Sequence, residues 1–317
     1  MSQQSSGEFA LIRQYFSSGF PRNTNTRLGV GDDCSVITLP HGFQLAQSID
    51  TQVADVHFPA AAPADLIAQR ALRCAVSDLA AMGAEPQGFH LALTLPDADP
   101  QWLQLFSEGL KAAASACQID LLGGDTTSGK TRVITIAVQG IVPADQALTR
   151  SGAQAGDDIW VSGVIGASAL ALPRVLKNPA ENSPTTKAYY FPEPQIKAGM
   201  ALRTLASSCM DISDGLIQDA GHIARNSALS LEIDGDRIPL PETATAEDFH
   251  TCISGGDDYQ LLFTAAASQR ETLLALSDQF PQLTRIGTVV ALNADKPVRL
   301  LVSGEEQPLH RTGYQHF

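Results

Sequence analysis

Apolar runs typical of β-strands alternate with amphipathic segments typical of helices along most of this chain. Residues 88–96 and 132–142 predict strands, because they are rich in β-branched, aromatic and other apolar residues. Residues 64–82 predict a helix, since their apolar residues recur at helical spacing and the segment lies between a proline and a glycine. The alternation predicts a mixed α/β (α+β) fold and leaves open whether the strands run parallel or antiparallel.

Two domains are predicted from the length and from a change in composition. A single hydrophobic core usually stops growing at about 250 residues, and the chain has 317. Residues 143–157 are small and polar, and a new apolar strand pattern follows them. We therefore predict domains at 1–148 and 149–317. A second linker is predicted at 178–194, which contains four prolines.

The acidic balance of the chain argues against several classes of partner. Thirty-four Asp and Glu residues against twenty-one Lys and Arg residues give a net charge of −13. Nucleic-acid-binding proteins and polybasic membrane-surface proteins need an excess of basic residues, so we expect neither kind of partner. No run of apolar residues predicts a membrane span. The N-terminal residues lack a secretory pattern and the five cysteines are scattered, so we expect a cytoplasmic protein with reduced thiols.

The acidic residues concentrate in six motifs in which an apolar run meets a glycine. Such positions expose backbone amides and allow a ligand to approach closely. Carboxylates placed there can bind a hard cation, and Mg²⁺ in particular is held by one or two carboxylates together with substrate phosphates. The motifs are GVGDDCS with Asp32 and Asp33, SIDTQVADVHF with Asp50 and Asp55, AVSDLAAMGAEP with Asp78, LLGGDTTSG with Asp125, MDISDGL with Asp211 and Asp214, and SGGDDYQLLF with Asp257 and Asp258.

A simple Asp-Gly turn is the alternative explanation for each single motif. That explanation is weakest for Asp78, which falls inside the helix predicted at 64–82. Asp is a poor helix former and no turn is needed there. The repetition of the motif and the position of Asp78 therefore favour metal binding.

Two glycine patterns resemble phosphate-binding loops but lack the required context. Residues 124–131 match the pattern G-x-x-x-x-G-K-[ST] letter for letter, yet that loop functions only when a helix follows it. The residues after Thr131 alternate and are β-branched, so they predict a strand. Gly163-x-x-Gly166 lacks the complete G-x-G-x-x-G pattern and predicts a tight turn between a strand and a helix.

Arg150 and His57 are the candidate polar contacts for a phosphorylated substrate. Arg150 could bind a phosphate through two N–H groups, and a solvated linker arginine is equally consistent with the sequence. His57 lies two residues after Asp55 and could contact a substrate, and a half-buried packing histidine is equally consistent. No Ser-His-Asp order and no nucleophilic cysteine environment can be assembled from the sequence.

Taken together, the motifs resemble those of thiamine-monophosphate kinases. They occur, with ALTRSG around Arg150, in the order and at about the spacing of that family over essentially the whole chain. The family belongs to a superfamily of ATP-binding enzymes that includes aminoimidazole ribonucleotide synthetase and selenophosphate synthetase. GDD, SDLAAMGA and GGD are features of the superfamily, whereas SIDTQVADVHF and the closing GYQHF resemble the thiamine-monophosphate branch.

The resemblance implies a fold, a reaction and a set of site residues. The implied fold is two α/β domains of the aminoimidazole ribonucleotide synthetase type, with the N-terminal sheet in a homodimer interface. The implied reaction converts ATP and thiamine phosphate to ADP and thiamine diphosphate and requires several Mg²⁺ ions. The residues on magnesium positions are Asp33, Ser48, Ile49 through its carbonyl, Asp50, Asp78, Asp125, Asp211 and Asp214. Nucleotide positions are taken by Asp33, Gly124, Asp125, Arg150 and Ser213, and thiamine-phosphate positions by His57, Asp257 and Arg311.

Three of these positions depart from the family pattern. The family usually has Glu at Asp257, Thr at Ile49 and an aromatic residue at Arg311. A guanidinium is a poor neighbour for a cationic thiazolium ring. Two of the three departures, Asp257 and Arg311, therefore fall on the thiamine-phosphate positions.

A direct in-line phosphoryl transfer fits this set of residues. The attacking group would be a phosphate with a second pKa of about 6, so no general base is needed. The protein would align two phosphate groups and reduce their repulsion. The alternatives are another ATP-using member of the superfamily and a non-catalytic nucleotide-binding relative. No Cys precedes Cys34, the chain ends in Phe317 rather than Cys, and none of the matched Asp positions is missing, so we expect neither alternative.

Overall fold

The computed structural model describes residues 8–309, 313 and 314, and the chain forms two compact units. The first unit contains the residues up to 79 together with 85–144 and 175–181. The second unit contains 80–84, 145–174 and the residues from 182 onward. Each unit is built around its own β-sheet.

A four-stranded sheet forms the centre of the first unit, with the strand order β3-β6-β4-β5. β6 pairs antiparallel with both β3 and β4, and β4 pairs parallel with β5. A short antiparallel pair, β1 and β2, lies outside this sheet. The elements up to residue 144 are α1 (Glu8–Leu11), a π-helical turn (Ile12–Phe16), β1 (Thr26–Leu28), β2 (Val36–Ile37), β3 (Phe43–Val53), α2 (Ala64–Ala81), β4 (Glu85–Leu95), α3 (Pro100–Cys117), β5 (Asp120–Ser128) and β6 (Val133–Pro143).

One face of this sheet is covered and the other is open. On β4, Phe89, Leu91 and Leu93 are buried, and Ala92 between them is exposed. α2 and α3 approach each other closely at Gly109, where a Cβ atom would lie 2.3 Å from the carbonyl oxygen of Asp65. Any other residue at 109 would force the two helices apart, so this glycine is required by packing.

The open face carries exposed apolar side chains along the edge strand β3. Phe43, Leu45 and Ile49 occupy alternate positions of the strand, and their side chains are 36%, 41% and 67% exposed. Alternate residues of a strand share one face, so these three side chains lie in one row, in which Gln47 stands between Leu45 and Ile49. We call this row the β3 apolar row.

A seven-stranded sheet forms the centre of the second unit, with the order β13-β12-β9-β11-β7-β10-β8. Its pairs are antiparallel except β9 with β12. Both sheets are therefore mixed and mainly antiparallel. The remaining helices and strands are β7 (Asp158–Val161), α4 (Ala167–Lys177), α5 (Pro184–Tyr190), α6 (Ile196–Leu202), β8 (Ser208–Asp211), α7 (Leu216–Ser227), β9 (Ser230–Asp234), α8 (Phe249–Ser254), β10 (Leu261–Ala265), α9 (Arg270–Ala275), β11 (Thr284–Val290), β12 (Val298–Val302) and β13 (Glu305–Gln307). No helix in the described part of the chain is long and apolar enough to cross a membrane.

The structure corrects the prediction that 178–194 is a linker throughout. α5 lies inside this segment and begins at a capping box, in which Ser183 and Thr186 bond each other's backbone amides. Tyr189 and Tyr190 are buried and pack edge to face. Pro184 is the first residue of α5, where the missing N–H of proline has no helical partner to lose.

Asp158 at the start of β7 joins a helix and a strand of the second unit. Its carboxylate is 1% exposed and accepts hydrogen bonds from Arg270 at 2.7 and 2.8 Å and from Arg285 at 2.5 Å. Burial alone would raise the pKa of Asp158, but the hydrogen bonds and charges of the two arginines outweigh it and hold that pKa below its ordinary value. The carboxylate is therefore ionised and structural.

Asp158→Asn should lower the free energy of unfolding by about 2 kcal/mol at neutral pH, because bonds to charged groups contribute roughly 1.5–3 kcal/mol. Since the folded-state pKa is depressed, this stabilisation is complete above the unfolded value of about 4 and is lost as the pH falls through the folded pKa. Urea titrations at several pH values should show a difference from wild type that narrows only in acid. Glu306→Gln, which removes an exposed partner of Lys296, is the control and should change stability much less. An equal loss in both variants would contradict this account.

Candidate active site

The first group of predicted site residues lies on the covered face of the first sheet. Ser48 and Asp50 are two residues apart on β3, so their side chains share this face. α2 brings Asp78 to them, and the Ser48 hydroxyl donates a hydrogen bond to the Asp78 carboxylate. Burial and the negative charge of Asp78 raise the pKa of Asp50 to about 6. These hard oxygen donors with unrelieved repulsion fit a divalent cation such as Mg²⁺.

The second group lines a cavity of about 320 Å³ in the first unit. Its polar side is formed by the GVGDD and GGD motifs, including Asp33, Gly124 and Asp125. At Gly124, a Cβ atom would lie 1.9 Å from the carbonyl oxygen of Leu91, so only glycine allows β5 to lie this close to β4. The motifs also contribute Val30, Gly31, Asp32, Leu121, Gly123 and Thr126 to the wall. Ile12, Phe16 and Leu91 complete it and were not predicted from the sequence.

Strand register separates the side chains of Asp50 and Asp125. Asp50 shares a cross-strand row with Gly124, and Asp125 shares the next row with Thr51. Successive residues point to opposite faces, so Asp125 projects from the open face, on the side of the β3 apolar row. Three strand spacings, about 14 Å, separate the backbone of β3 from that of β5. Within one chain, the structure does not bring Asp125 to the Asp50 and Asp78 carboxylates. Ile49 also points to the open face.

The third group lies in the second unit, where two loops run alongside each other. The loop after β8 carries Ser213 and Asp214, and the loop before β10 carries Asp257. The Asp257 N–H donates to the Ser213 carbonyl at 2.8 Å, and the Tyr259 N–H donates to the Ile212 carbonyl at 2.8 Å. The Tyr259 hydroxyl also donates to the Asp257 carboxylate at 3.1 Å. The structure thus brings these three predicted residues together just beyond Asp211, which ends β8.

The sequence analysis missed two residues of α7 that join this group. Asp219 is 1% exposed and accepts hydrogen bonds from the backbone of the Asp214 loop. Burial and the charges of Asp214 and Asp211 raise its pKa to about 8. In the described part of the chain, Asp214, Asp219 and His222 are the one group of three whose possible ligand atoms all lie within 4.8 Å of one another. The signal in the sequence was the i, i+3 spacing of Asp219 and His222, which places them on one helix face.

Arg150 is exposed and lies in the second unit. Its charge acts on His222, because burial, Arg225 and Arg150 together lower the pKa of that imidazole against the opposing effect of Asp214. Arg150 therefore lies near His222 of α7.

Neither glycine pattern forms a phosphate-binding loop. Gly124 to Ser128 belong to β5, and Lys130 and Thr131 lie in a bend that leads into β6, so no helix follows the first pattern. The second pattern ends at the start of α4, where the buried carboxylate of Asp258 accepts the Gly166 N–H at 2.8 Å. An internal carboxylate thus occupies the helix start that would otherwise attract an anion.

His57 is half-buried and has a defined tautomer. Its Nδ1 accepts a hydrogen bond from the Val53 N–H at 3.0 Å. In the neutral ring the proton must therefore be on Nε2, which makes that atom a donor. Arg311, the third residue on the thiamine-phosphate positions, lies outside the described residues.

In the metal-free chain, the Asp50 carboxyl should titrate near pH 6, as its raised pKa of about 6 indicates. A folded pKa above the unfolded value of about 3.9 means that Asp50 costs stability increasingly as the pH rises through this interval. Asp78→Asn removes one cause of the shift and should move the midpoint down, and added Mg²⁺ should do the same because a cation favours the carboxylate. Carbon-13 NMR of the aspartate carboxyls measures both effects. Asp55→Asn, at an exposed loop position, is the control, and an equal effect of that variant would contradict the assignment.

Comparison with known proteins places the chain in a family. Residues 31–142 match the family described as AIR synthase related protein, N-terminal domain, and residues 154–298 match its C-terminal domain. The thiamine-monophosphate kinase of Salmonella typhimurium is 40% identical over 325 residues, which cover 98% of each chain.

Solved structures agree with the fold described above. The crystal structure of thiamine-monophosphate kinase from Stenotrophomonas maltophilia K279a has a TM-score of 0.81 and 37% identity, and covers 90% of this chain and 93% of that chain. The structure of AaThiL complexed with AMPPCP and TMP has a TM-score of 0.75 and 25% identity, and covers 100% of this chain and 99% of that chain. Sequence identity over nearly the full length, together with this shared fold, shows that the chain belongs to the thiamine-monophosphate kinase family.

Proposed function

We propose that this protein transfers the terminal phosphoryl group of ATP to thiamine phosphate, giving ADP and thiamine diphosphate. The observation that carries the proposal is the 40% identity to thiamine-monophosphate kinases over 98% of both chains. A related structure was obtained with AMPPCP and TMP together, which supports binding of both substrates by the family. We also propose that the protein acts in the cytoplasm.

Mg²⁺ is the cation that the oxygen donors fit best, and we assign it to the predicted positions. Ser48, Asp50 and Asp78 would hold it in the first unit through the arrangement on β3 and α2. Mg²⁺ at these positions would neutralise phosphate charge during transfer. The remaining proposed ligands are Asp33, the Ile49 carbonyl, Asp125, Asp211 and Asp214.

The nucleotide contacts are assigned to Asp33, Gly124, Asp125, Arg150 and Ser213. The apolar wall beside Gly124, formed in part by Ile12 and Phe16, suits a nucleobase because aromatic and aliphatic side chains can cover a flat ring. Arg150 can donate two parallel hydrogen bonds to a phosphate. These residues would bind and orient ATP without reacting with it.

The thiamine-phosphate contacts are assigned to His57, Asp257 and Arg311. The Nε2–H of His57 can donate to an acceptor on the substrate. The Asp257 carboxylate, oriented by the Tyr259 hydroxyl, carries the charge that suits a cationic thiazolium. Asp257 is half-buried and has a φ of +63°, a left-handed backbone conformation that Asp adopts more readily than most residues.

The residues described here favour direct transfer. The attacking phosphate is largely ionised at neutral pH, since its second pKa is about 6, and so requires no general base. The protein would align the donor and acceptor and stabilise the phosphate charge, which are the main requirements of phosphoryl transfer. A phosphoenzyme trapped with radiolabelled ATP would contradict this mechanism.

The open face of the first sheet is the surface through which we propose that the protein forms a homodimer. The β3 apolar row lies on an edge strand of eleven residues, and exposed apolar rows of this kind usually mark an interaction surface. Asp125 projects from the same face. A second copy bound there would therefore lie next to Asp125 of the first.

Purified protein incubated with ATP, Mg²⁺ and thiamine phosphate should form thiamine diphosphate, detected by chromatography. EDTA should stop the reaction and added Mg²⁺ should restore it, because the proposed site depends on a cation. Asp125→Asn, which removes a charge with little change in volume, should reduce turnover severely and leave the fold intact by circular dichroism. ATP consumption that requires a different acceptor would show that the proposed substrate is wrong.

Leu45→Lys should convert the proposed dimer to a monomer in light scattering, because it places a charge in the middle of the β3 apolar row. The side chain is 41% exposed, so the chain itself should remain folded. The control is Leu176→Lys, because the Leu176 side chain is 64% exposed and does not belong to this row. This variant should have the same molar mass in light scattering as the wild-type dimer. If the Leu45→Lys variant has the molar mass of the wild-type dimer, the β3 apolar row is not the dimer surface.

A further inference from the structure

Asp214 is fixed by hydrogen bonds at three different points. Its N–H donates to Oδ2 of Asp219 at 3.1 Å, and the next amide, that of Gly215, donates to the same oxygen at 3.1 Å. Its own carboxylate accepts a hydrogen bond from the side-chain amide of Gln218 at 3.1 Å. Its carbonyl accepts the Tyr314 N–H at 3.0 Å. Main chain and side chain of Asp214 are thus held separately.

Asp219 has the position of a residue that holds a loop. Gly215 is the N-cap residue just before α7. It has a φ of +127° and has no side chain with which to cap the helix. Asp219, on the first turn of the helix, instead reaches back to accept the amides of Asp214 and Gly215 from inside the unit, where it is 1% exposed. Oδ2 of Asp219 is already engaged by two amides, which favours support of the loop over direct contact with a cation.

Gln218 adds the contact to the side chain. Its amide nitrogen donates to the Asp214 carboxylate and also to the Tyr314 carbonyl at 2.8 Å. Tyr314 belongs to the closing segment of the chain. Gln218 therefore connects the Asp214 carboxylate to that segment and limits the rotation of the carboxylate.

We propose that Asp219 and Gln218 are positioning residues for Asp214. Asp219 fixes the backbone of the loop and Gln218 fixes the carboxylate, so that Asp214 is already oriented when a cation binds. The inference rests on the proposed function, in which Asp214 is a magnesium ligand. Partners that orient a metal ligand commonly change metal affinity or activity by about 10- to 100-fold.

The test is Mn²⁺ binding to the full chain with a non-hydrolysable ATP analogue, followed by electron paramagnetic resonance. Asp214→Asn identifies the ion that depends on Asp214. Asp219→Ala should lower the affinity for that same ion by about 10- to 100-fold. The Asp219→Asn variant should bind this Mn²⁺ ion with an affinity within about threefold of wild type, because the amide oxygen of Asn can still accept both N–H groups. Gln218→Ala should lower the affinity for this ion by about fivefold, as expected for the loss of one hydrogen bond.

Asp157→Ala is the control for loss of stability. Asp157 is also buried in the second unit, and its carboxylate accepts the Gln154 N–H at 2.9 Å and the Ser207 hydroxyl at 2.5 Å. This variant should lose stability comparably and still bind Mn²⁺ as the wild type does. Equal weakening in the Asp157 and Asp219 variants would reduce the effect to general destabilisation and overturn the inference.

Other outcomes would also overturn it. Wild-type Mn²⁺ affinity in Asp219→Ala would show that the loop needs no support, and equal weakening in Asp219→Asn and Asp219→Ala would make Asp219 a direct ligand. Unchanged binding in Asp214→Asn would remove the metal role of Asp214 and the inference with it. Normal Mn²⁺ binding by a wild-type protein that does not phosphorylate thiamine phosphate would overturn the proposed substrate only.

Discussion

Repulsion between carboxylates held close together is the constraint on which the rest of this structure depends. Burial together with the charge of Asp78 raises the pKa of Asp50 in the first unit, and burial together with the charges of Asp214 and Asp211 raises that of Asp219 in the second. Holding these charges together costs free energy until a cation or a proton relieves the repulsion. Asp158 shows the opposite arrangement, because two arginines lower its pKa and make it part of the scaffold. A carboxylate paired with arginines, such as Asp158, is thus ionised without a cation, whereas Asp50 is charged at lower cost when a cation is bound.

Internal carboxylates also determine where phosphate can be bound. Asp219 and Asp258 accept backbone amides at the starts of α7 and α4, which are positions that attract anions in many phosphate-binding proteins. With these helix starts occupied, the proposed recognition of phosphate depends on metal ions and on Arg150. This agrees with a chain whose net charge is −13, since the acidic groups bind phosphates only together with cations.

Local patterns were sufficient to predict much of the fold and the chemistry of the site. Helical periodicity with bounding Pro and Gly predicted α2, and β-branched alternation predicted β6 and excluded a phosphate loop at Lys130. The resemblance to thiamine-monophosphate kinases is confirmed by identity over the full length. The helix α5 was missed because the prolines of 178–194 were taken as linker residues, although Ser183 followed by Pro184 is a common pattern at the start of a helix.

The periodicity and motif order of the sequence thus determined many of the element types, the family and the motifs in which the acidic residues concentrate. Tertiary structure alone decided which of these acids meet. Asp50 and Asp125 point to opposite faces because strand register, set by pairing between distant segments, assigns each residue its face. Asp219 and Gln218 form their hydrogen bonds to the Asp214 loop because the first turn of α7 packs against that loop. Such contacts depend on backbone geometry, which one-dimensional spacing does not encode.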